Sequence, residues 1–157
     1  MKITRNLPEQ LIVENRPWIL SIALVAGGLI FFGIGLSVFL GGETFGLLFM
    51  AASVIPFGLL FAFARRVQVL FLKEQGTLTF RRRTLMGASE VQHDLASISE
   101  AIVQTSHGSD GAPTHRVALI IPEGESAGTH PITLAYDNFS DHHGMANTIN
   151  TWLAQAR

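Results

Sequence analysis

Six histidines are the side chains best suited to acid–base or metal chemistry: His93, His107, His115, His130, His142 and His143. His142 and His143 beside Asp141 invite a metal site. Neighbouring residues on a helix point about 100° apart, however, and no His/carboxylate set at i, i+3 or i, i+4 completes one. The spacing therefore predicts surface histidines. His107 and Asp110, with a serine of the same loop, carry the residue types of a catalytic triad, but no nucleophile-elbow pattern surrounds them. Glycine-rich phosphate loops are absent, because Gly27-Gly28 and Gly33-x-Gly35 sit inside an apolar run. The chain has no cysteine, which excludes disulfides, thiolate metal ligands and a cysteine nucleophile. The expectation is a non-enzyme with no catalytic residue, metal, cofactor or identifiable small-molecule substrate.

A second group of residues could bind anions. Arg81, Arg82 and Arg83 are consecutive, and Arg65, Arg66 and Lys73 lie shortly before them. Close to a bilayer such a cluster could hold anionic lipid head groups, at about 1 kcal/mol per basic residue near the surface. In a strand, alternate residues face opposite sides, so Arg81 and Arg83 can share a face while Arg82 points away. The competing reading is that these charges set membrane topology and solvate a strand end. Nucleic acid is not an expected partner, since residues 84–157 hold two basic residues against eight acids and no aromatic residues alternate with the arginines.

The elements that must position these residues begin with two apolar runs, 18–40 and 45–64, separated by Gly41-Gly42-Glu43-Thr44. Neither contains Asp, Glu, Lys, Arg or His, so no residue could carry a proton relay or ion path. As helices the runs would reach about 34 and 30 Å, enough to cross a hydrocarbon core. A signal peptide fits poorly, because its apolar region is short and a second run follows here almost at once. The reading is a transmembrane helical hairpin over residues 18–64, with Pro56 kinking its second limb.

Both outer flanks are basic, with Lys2, Arg5 and Arg16 before the hairpin and Arg65 and Arg66 after it, while the turn has neither Lys nor Arg. The positive-inside rule then places both termini in the cytoplasm of a bacterial inner membrane, with Trp18 at the interface. Small residues recur at matching spacing, Ala26, Gly33 and Ser37 in the first run and Ala51, Gly58 and Ala62 in the second. Seven and eleven residues return nearly to one helix face, and small faces let lipid-embedded helices approach closely. The two limbs could pack on each other through these faces, which is the favoured reading, or present them to another membrane protein.

Residues 1–17 read as a cytoplasmic leader, in which residues 10–14 could add one strand to the later domain. After residue 64 the pattern changes to period two. Val67, Val69 and Phe71 alternate, as do Leu78 and Phe80, Val117, Leu119 and Ile121, and Ile132, Leu134 and Tyr136. Five or six short antiparallel strands are expected. Met145, Ile149, Trp152, Leu153 and Ala156 then form one helical stripe over residues 140–156, with Ser140 as N-cap. The fold class is a membrane α hairpin plus an α+β soluble domain over residues 65–157, a curved antiparallel sheet closed by a C-terminal helix.

Two apolar spans, then the apolar, turn and basic pattern from Val69 to Arg83, then hairpins and a final helix resemble bacterial membrane-anchored proteins with a pleckstrin-homology-like cytoplasmic domain. The layout is also similar to that of photosystem I assembly proteins. The resemblance implies a non-catalytic interaction module: an accessory subunit, scaffold or assembly factor whose partners are membrane lipids and other integral membrane proteins. The alternative is a module that binds anionic lipid or senses a signal through its cytoplasmic domain.

Overall fold

The computed structural model describes residues 1–63, 65–84, 87–108 and 111–157, with the backbone alone at residues 62 and 63. The chain divides into two compact units, one of Met1–Asn15, Val67–Arg82 and Ala88–Arg157, the other of Arg16–Arg66 and Arg83–Gly87.

The first unit opens with β1 (Lys2–Leu7) and β2 (Gln10–Asn15), where a leader with one possible added strand over residues 10–14 was expected. Strand β2 carries Leu11 and Val13, both fully buried, and pairs with β3 (Arg66–Leu72) so that Leu11 faces Phe71 and Val13 faces Val69. Two buried apolar residues at period two fix that register, because a slip of one position would turn both to solvent. The hairpin continues through β4 (Thr77–Thr84) and β5 (Gly87–Asp94), giving a five-stranded antiparallel sheet in the order β1-β2-β3-β4-β5.

A 3-10 turn at Leu95–Ser97, capped by the Asp94 carboxylate on the Ala96 amide at 3.0 Å, ends this sheet. A second sheet follows, β6 (Glu100–Ser106), β7 (Thr114–Ile121) and β8 (Gly128–Pro131). The expected single curved pleckstrin-homology-like sheet is thus corrected to two antiparallel sheets, of five and three strands. The final strand is also displaced. Its pairing with β7 covers Gly128 to Pro131, Ile132 donates to the Val117 carbonyl at 2.9 Å, and Asp137 makes an isolated antiparallel bridge to His115. Between these two points the Leu134 carbonyl is taken by the Arg116 guanidinium at 3.0 Å, so the residues through Tyr136 lie outside the named strand.

Helix α4 (His142–Ala156) closes this unit. Asp141 is its N-cap, accepting from the Gly144 amide at 2.8 Å, in place of the expected Ser140, whose hydroxyl accepts from the Met1 amine. Met145, Ile149, Trp152 and Leu153 enter the common core with Phe71, Leu78, Leu119 and Ile132. Asn150 imitates a strand partner, its amide bonding both the N–H and the C=O of Ala101 at 2.7 and 2.9 Å.

The second unit is apolar and helical. Helix α1 (Trp18–Leu40) ends at Gly42, whose φ of +95° suits glycine, while the Glu43 amide donates back to Val38 O at 3.2 Å. The return limb is two helices, α2 (Gly46–Ala52) and α3 (Val54–Phe63), where one was expected. Proline at 56 has no N–H for the Ala52 carbonyl, and α2 stops at that residue. Ser53 lies at the break, its amide donating to Phe49 O at 3.0 Å and its hydroxyl to Met50 O at 2.6 Å. At 7 and 10 residues, α2 and α3 reach about 10 and 15 Å, short of a bilayer core. The expected pair of transmembrane helices is corrected accordingly: among the described residues α1 alone is long and apolar enough to cross a membrane.

Candidate functional site

In the apolar unit, contact between α1 and the return limb is made by glycines. A Cβ on Gly35 would lie 2.7 Å from both Gly46 O and Met50 N, and one on Gly46 would lie 2.5 Å from Phe39 N. On Gly28 it would stand 2.8 Å from the Phe57 ring. Phe49 joins the seam, with its ring 6.3 Å from Phe31 and edge-on to Phe45 at 5.4 Å. These glycines were missed in the sequence. The signal that could have found them is distance from the turn, since limbs that reverse at Gly41-Gly42 bring Gly35 and Gly46 level.

The small residues singled out earlier lie elsewhere. Ala26, Gly33, Ser37, Ala51 and Gly58 are all exposed, and a Cβ on Gly33 or Gly58 would meet nothing within 4 Å. The Ala62 side chain lies outside the described residues. The favoured packing of the limbs through these faces is therefore corrected. On α1 the geometry is simple: Gly33 is two positions from Gly35 and Ala26 two from Gly28, and two positions turn a helix by about 200°. Ala26, Gly33 and Ser37 form the side of α1 opposite the return limb. Ile22, Leu29, Ile30, Ile34 and Leu36 around them are exposed as well. Exposed apolar area on this scale marks a surface that lipid or another protein covers. The Ser21 and Ser53 hydroxyls are satisfied within the unit, bonding Pro17 O at 2.9 Å and Met50 O at 2.6 Å, as hydrocarbon requires.

The basic cluster is divided. Lys73 lies in the turn after β3, about 20 Å along the strand from Arg66, and its ammonium donates to the Gln155 carbonyl near the end of α4 at 2.8 Å. Arg81 is paired with Glu90 across β4 and β5 at 2.9 Å. Arg82 and Arg83 are exposed at the end of β4. Arg16, Arg65, Arg66 and Arg83 belong to the apolar unit, whose acidic residue is Glu43 in the turn after α1.

Five of the six histidines form two groups in the other unit. His142 is buried rather than at the surface, with 3% exposure, and its Nε2 lies 3.0 Å from Asp137 O and 3.1 Å from Asp137 Oδ1. His115 bonds Thr105 through Nδ1 at 3.0 Å and stacks near His142 and His143. Asp110 lies outside the described residues, so the triad arrangement does too. Among the described residues no group of three or more His, Cys, Asp or Glu side chains is placed to hold a metal ion. A shallow cleft of about 260 Å³, lined by Asn6, Asn147, Thr148, Thr151, Trp152 and Gln155, has no titratable group in its wall.

The second group joins the two sheets. His93 on β5 packs edge-on against Phe80 at 5.8 Å and lies 5.1 Å from the His130 ring of β8. Burial, and then the charge of His130, lower the His93 pKa below the ordinary 6.5. The unfolded chain therefore takes up this proton before the folded one. The contribution of the neutral ring is complete above about pH 6.5 and is lost as pH falls through the folded value. Urea unfolding at about pH 7.5 and 5.5 should show a smaller acid loss of stability for His93→Gln than for the natural chain. Equal losses would contradict this account of His93.

Neither a protein-family model nor a curated protein sequence matches the chain.

Proposed function

We propose that this is a non-catalytic membrane protein that serves as an accessory, scaffold or assembly subunit, docking another integral membrane protein against the open side of α1. The observation that carries this reading is the separation of two small-residue faces on one helix. Gly28 and Gly35 hold the return limb, while Ala26, Gly33 and Ser37 have no part in that contact. Lipid-embedded helices associate through close backbone approach at small residues, so a second such face has the shape a further helix needs. The layout resemblance to membrane-anchored assembly proteins points to the same role.

The membrane is the bacterial cytoplasmic membrane in this reading, entered from its cytoplasmic side. Arginines 16, 65, 66 and 83 in the apolar unit, against Glu43 in the far turn, favour that orientation. The chain leaves β2 after Asn15 and re-enters β3 at Arg66, and Asn15 stands opposite Val67. The residues leading into and out of the apolar unit thus occupy neighbouring strands. Met1 and Arg157 both belong to the β unit, and in this reading that unit lies on the cytoplasmic side.

The test is recovery of partners with the tagged full-length protein from membranes in mild detergent. Gly33→Leu fills the open face without touching the limb contact. It should leave the protein in the membrane fraction and reduce recovery of its stoichiometric partner tenfold or more, on the order of 1.4 kcal/mol. Gly58→Leu, on the return limb, should have the smaller effect. Unchanged recovery with Gly33→Leu would overturn the docking reading.

A further inference from the structure

Among the described residues the two sheets end in four edge strands, β1 and β5 in one and β6 and β8 in the other. An edge presents a row of backbone N–H and C=O groups that invites another strand, and three of these edges carry a device against it. Strand β1 has a register shift between Ile3 and Arg5 and bears two exposed cations, Lys2 and Arg5. The outer edge of β6 is taken by α4. There the Asn150 amide occupies both backbone groups of Ala101, and the Arg157 guanidinium bonds the Ile98 and Ser99 carbonyls. Strand β8 is four residues long and ends in Pro131.

Strand β5 has none of these. It is eight residues long and contains no Pro, Lys or Arg. Both its acids are engaged, Glu90 by Arg81 at 2.9 Å and Asp94 by the Ala96 amide at 3.0 Å. Its ladder neighbour is β4, on one side alone. His93 lies 5.1 Å from the His130 ring, so β8 closes on that end, but every residue from Ala88 to Gln92 is exposed. All five belong to the β unit, as do Arg81 and Arg82. The open stretch is about 17 Å long, room for five residues of an added strand.

Charge and side chains decide which strand fits. Strand addition takes affinity from the backbone and specificity from pockets beside the edge. The cleft described above is lined from β1 and α4 and includes no residue of β4 or β5. A second copy of the same stretch needs no pocket, because its charge is already balanced. Antiparallel pairing about Glu90 sets Ala88 opposite Gln92, and Ser89 opposite Val91, of the second copy. The two Glu90 carboxylates then face each other, each held by its own Arg81 at 2.9 Å, and these four charges sum to zero. The two Arg82 side chains stand three strand spacings apart, about 14 Å, beyond a Debye length of about 8 Å. Pairing β5 with β1, β6 or β8 of a second copy would meet the devices above, whereas the two-fold arrangement avoids them and closes.

We propose that Ala88–Gln92 is a homodimer interface, in which β5 pairs antiparallel with β5 of a second copy and joins two five-stranded sheets into one. The proposal concerns the β unit alone and does not depend on the membrane placement given above. It gives the Arg81–Glu90 pair a role: it cancels the charge that would otherwise keep two copies of this edge apart.

The experiment is light scattering of the full-length protein in mild detergent, corrected for bound detergent. A five-residue ladder is small beside a standard interface, so monomer should pass to dimer as the concentration rises to about 100 μM. Arg81→Gln leaves two carboxylates facing each other and should weaken the dimer about tenfold. Adding Glu90→Gln to that variant should restore it to within about threefold of the natural chain. The natural chain has no cysteine, so single cysteines report the register. On oxidation Glu90→Cys should give a disulfide-linked dimer. Ala88→Cys and Gln92→Cys should not, because each would stand about 14 Å from its own copy along the strand, beyond disulfide reach. Thr4→Cys, on the β1 edge, is the control. A natural chain that stays monomeric through that range overturns the proposal. So does a dimer that Arg81→Gln leaves unchanged, or equal disulfide yield from Thr4→Cys and Glu90→Cys, since the interface then lies elsewhere.

Discussion

Gly46→Val will part the two limbs of the apolar unit. The new Cβ meets backbone atoms, Gly35 O and Phe39 N, the latter at 2.5 Å, and no side-chain rotation relieves a clash with backbone. Overpacking costs about 1–3 kcal/mol where neighbours can move, and here the upper end applies because the helices themselves must separate. For a chain of this size about 3 kcal/mol lowers Tm by roughly 6–12 °C. Thermal unfolding of the detergent-solubilised protein, followed by circular dichroism, measures it. Gly33→Ala is the control, since that position is open, and should melt within about 2 °C of the natural chain. If Gly46→Val melts with the natural protein, the glycine seam is wrong.

Trp152→Ala carries the largest expected loss in the β unit. The indole is 2% exposed, sits edge-on to Phe71 with ring centres 5.8 Å apart, and donates Nε1–H to the Leu7 carbonyl at 2.7 Å. It thereby ties α4 to β3 and to the end of β1. Truncating a buried tryptophan costs about 3–5 kcal/mol in transfer and cavity terms. Trp152→Phe separates the two contributions: it keeps an aromatic ring against Phe71 and removes only the donor and part of the volume, for about 1–2 kcal/mol. Urea denaturation midpoints should fall in the order natural chain, phenylalanine variant, alanine variant. Equal midpoints for the two variants would mean that the ring contact contributes little.

The bounds of α1 were legible because a charge-free run stood between Pro17 and Gly41, a proline that starts helices and a glycine that ends them. The break in the return limb was half legible. Pro56 marks a lost hydrogen bond, but the residue that loses its donor, Ala52, lies four positions back and carries no signal of its own. The choice between two small-residue faces was beyond periodicity. Ala26 and Gly33 are seven apart, and so are Gly28 and Gly35, so pattern alone ranks them equally. Only the level at which the limbs meet decides that Gly28 and Gly35 take the internal contact.

Edges were the hardest part of the β unit. Strand β1 is polar almost throughout, as an edge strand is, and one of the three buried positions of β2 is the charged Glu14, so residues 10–14 read only as a possible added strand. Conversely, Ile132, Leu134 and Tyr136 alternate as a strand should, yet Leu134 is exposed and its carbonyl bonds an arginine. Helix α4 was visible in its stripe, but its cap was misplaced by one residue, and that residue decides the fate of His142. With Asp141 capping, His142 begins the helix and turns inward to Asp137. The arginine cluster was legible as a cluster and not as a divided one, because sequence proximity hides strand length: Lys73 and Arg66 are at opposite ends of β3.

The central claim is that the side of α1 bearing Gly33 is a protein-docking face inside the membrane. A photoreactive amino acid at position 33, activated in intact cells, tests it most directly. The account predicts one discrete protein adduct from position 33, weakened by Ala26→Leu on the same face and unaffected by Leu47→Ala on the return limb. Crosslinking to lipid alone from position 33 would contradict it, and the open face would then be one more lipid-covered surface of the apolar unit.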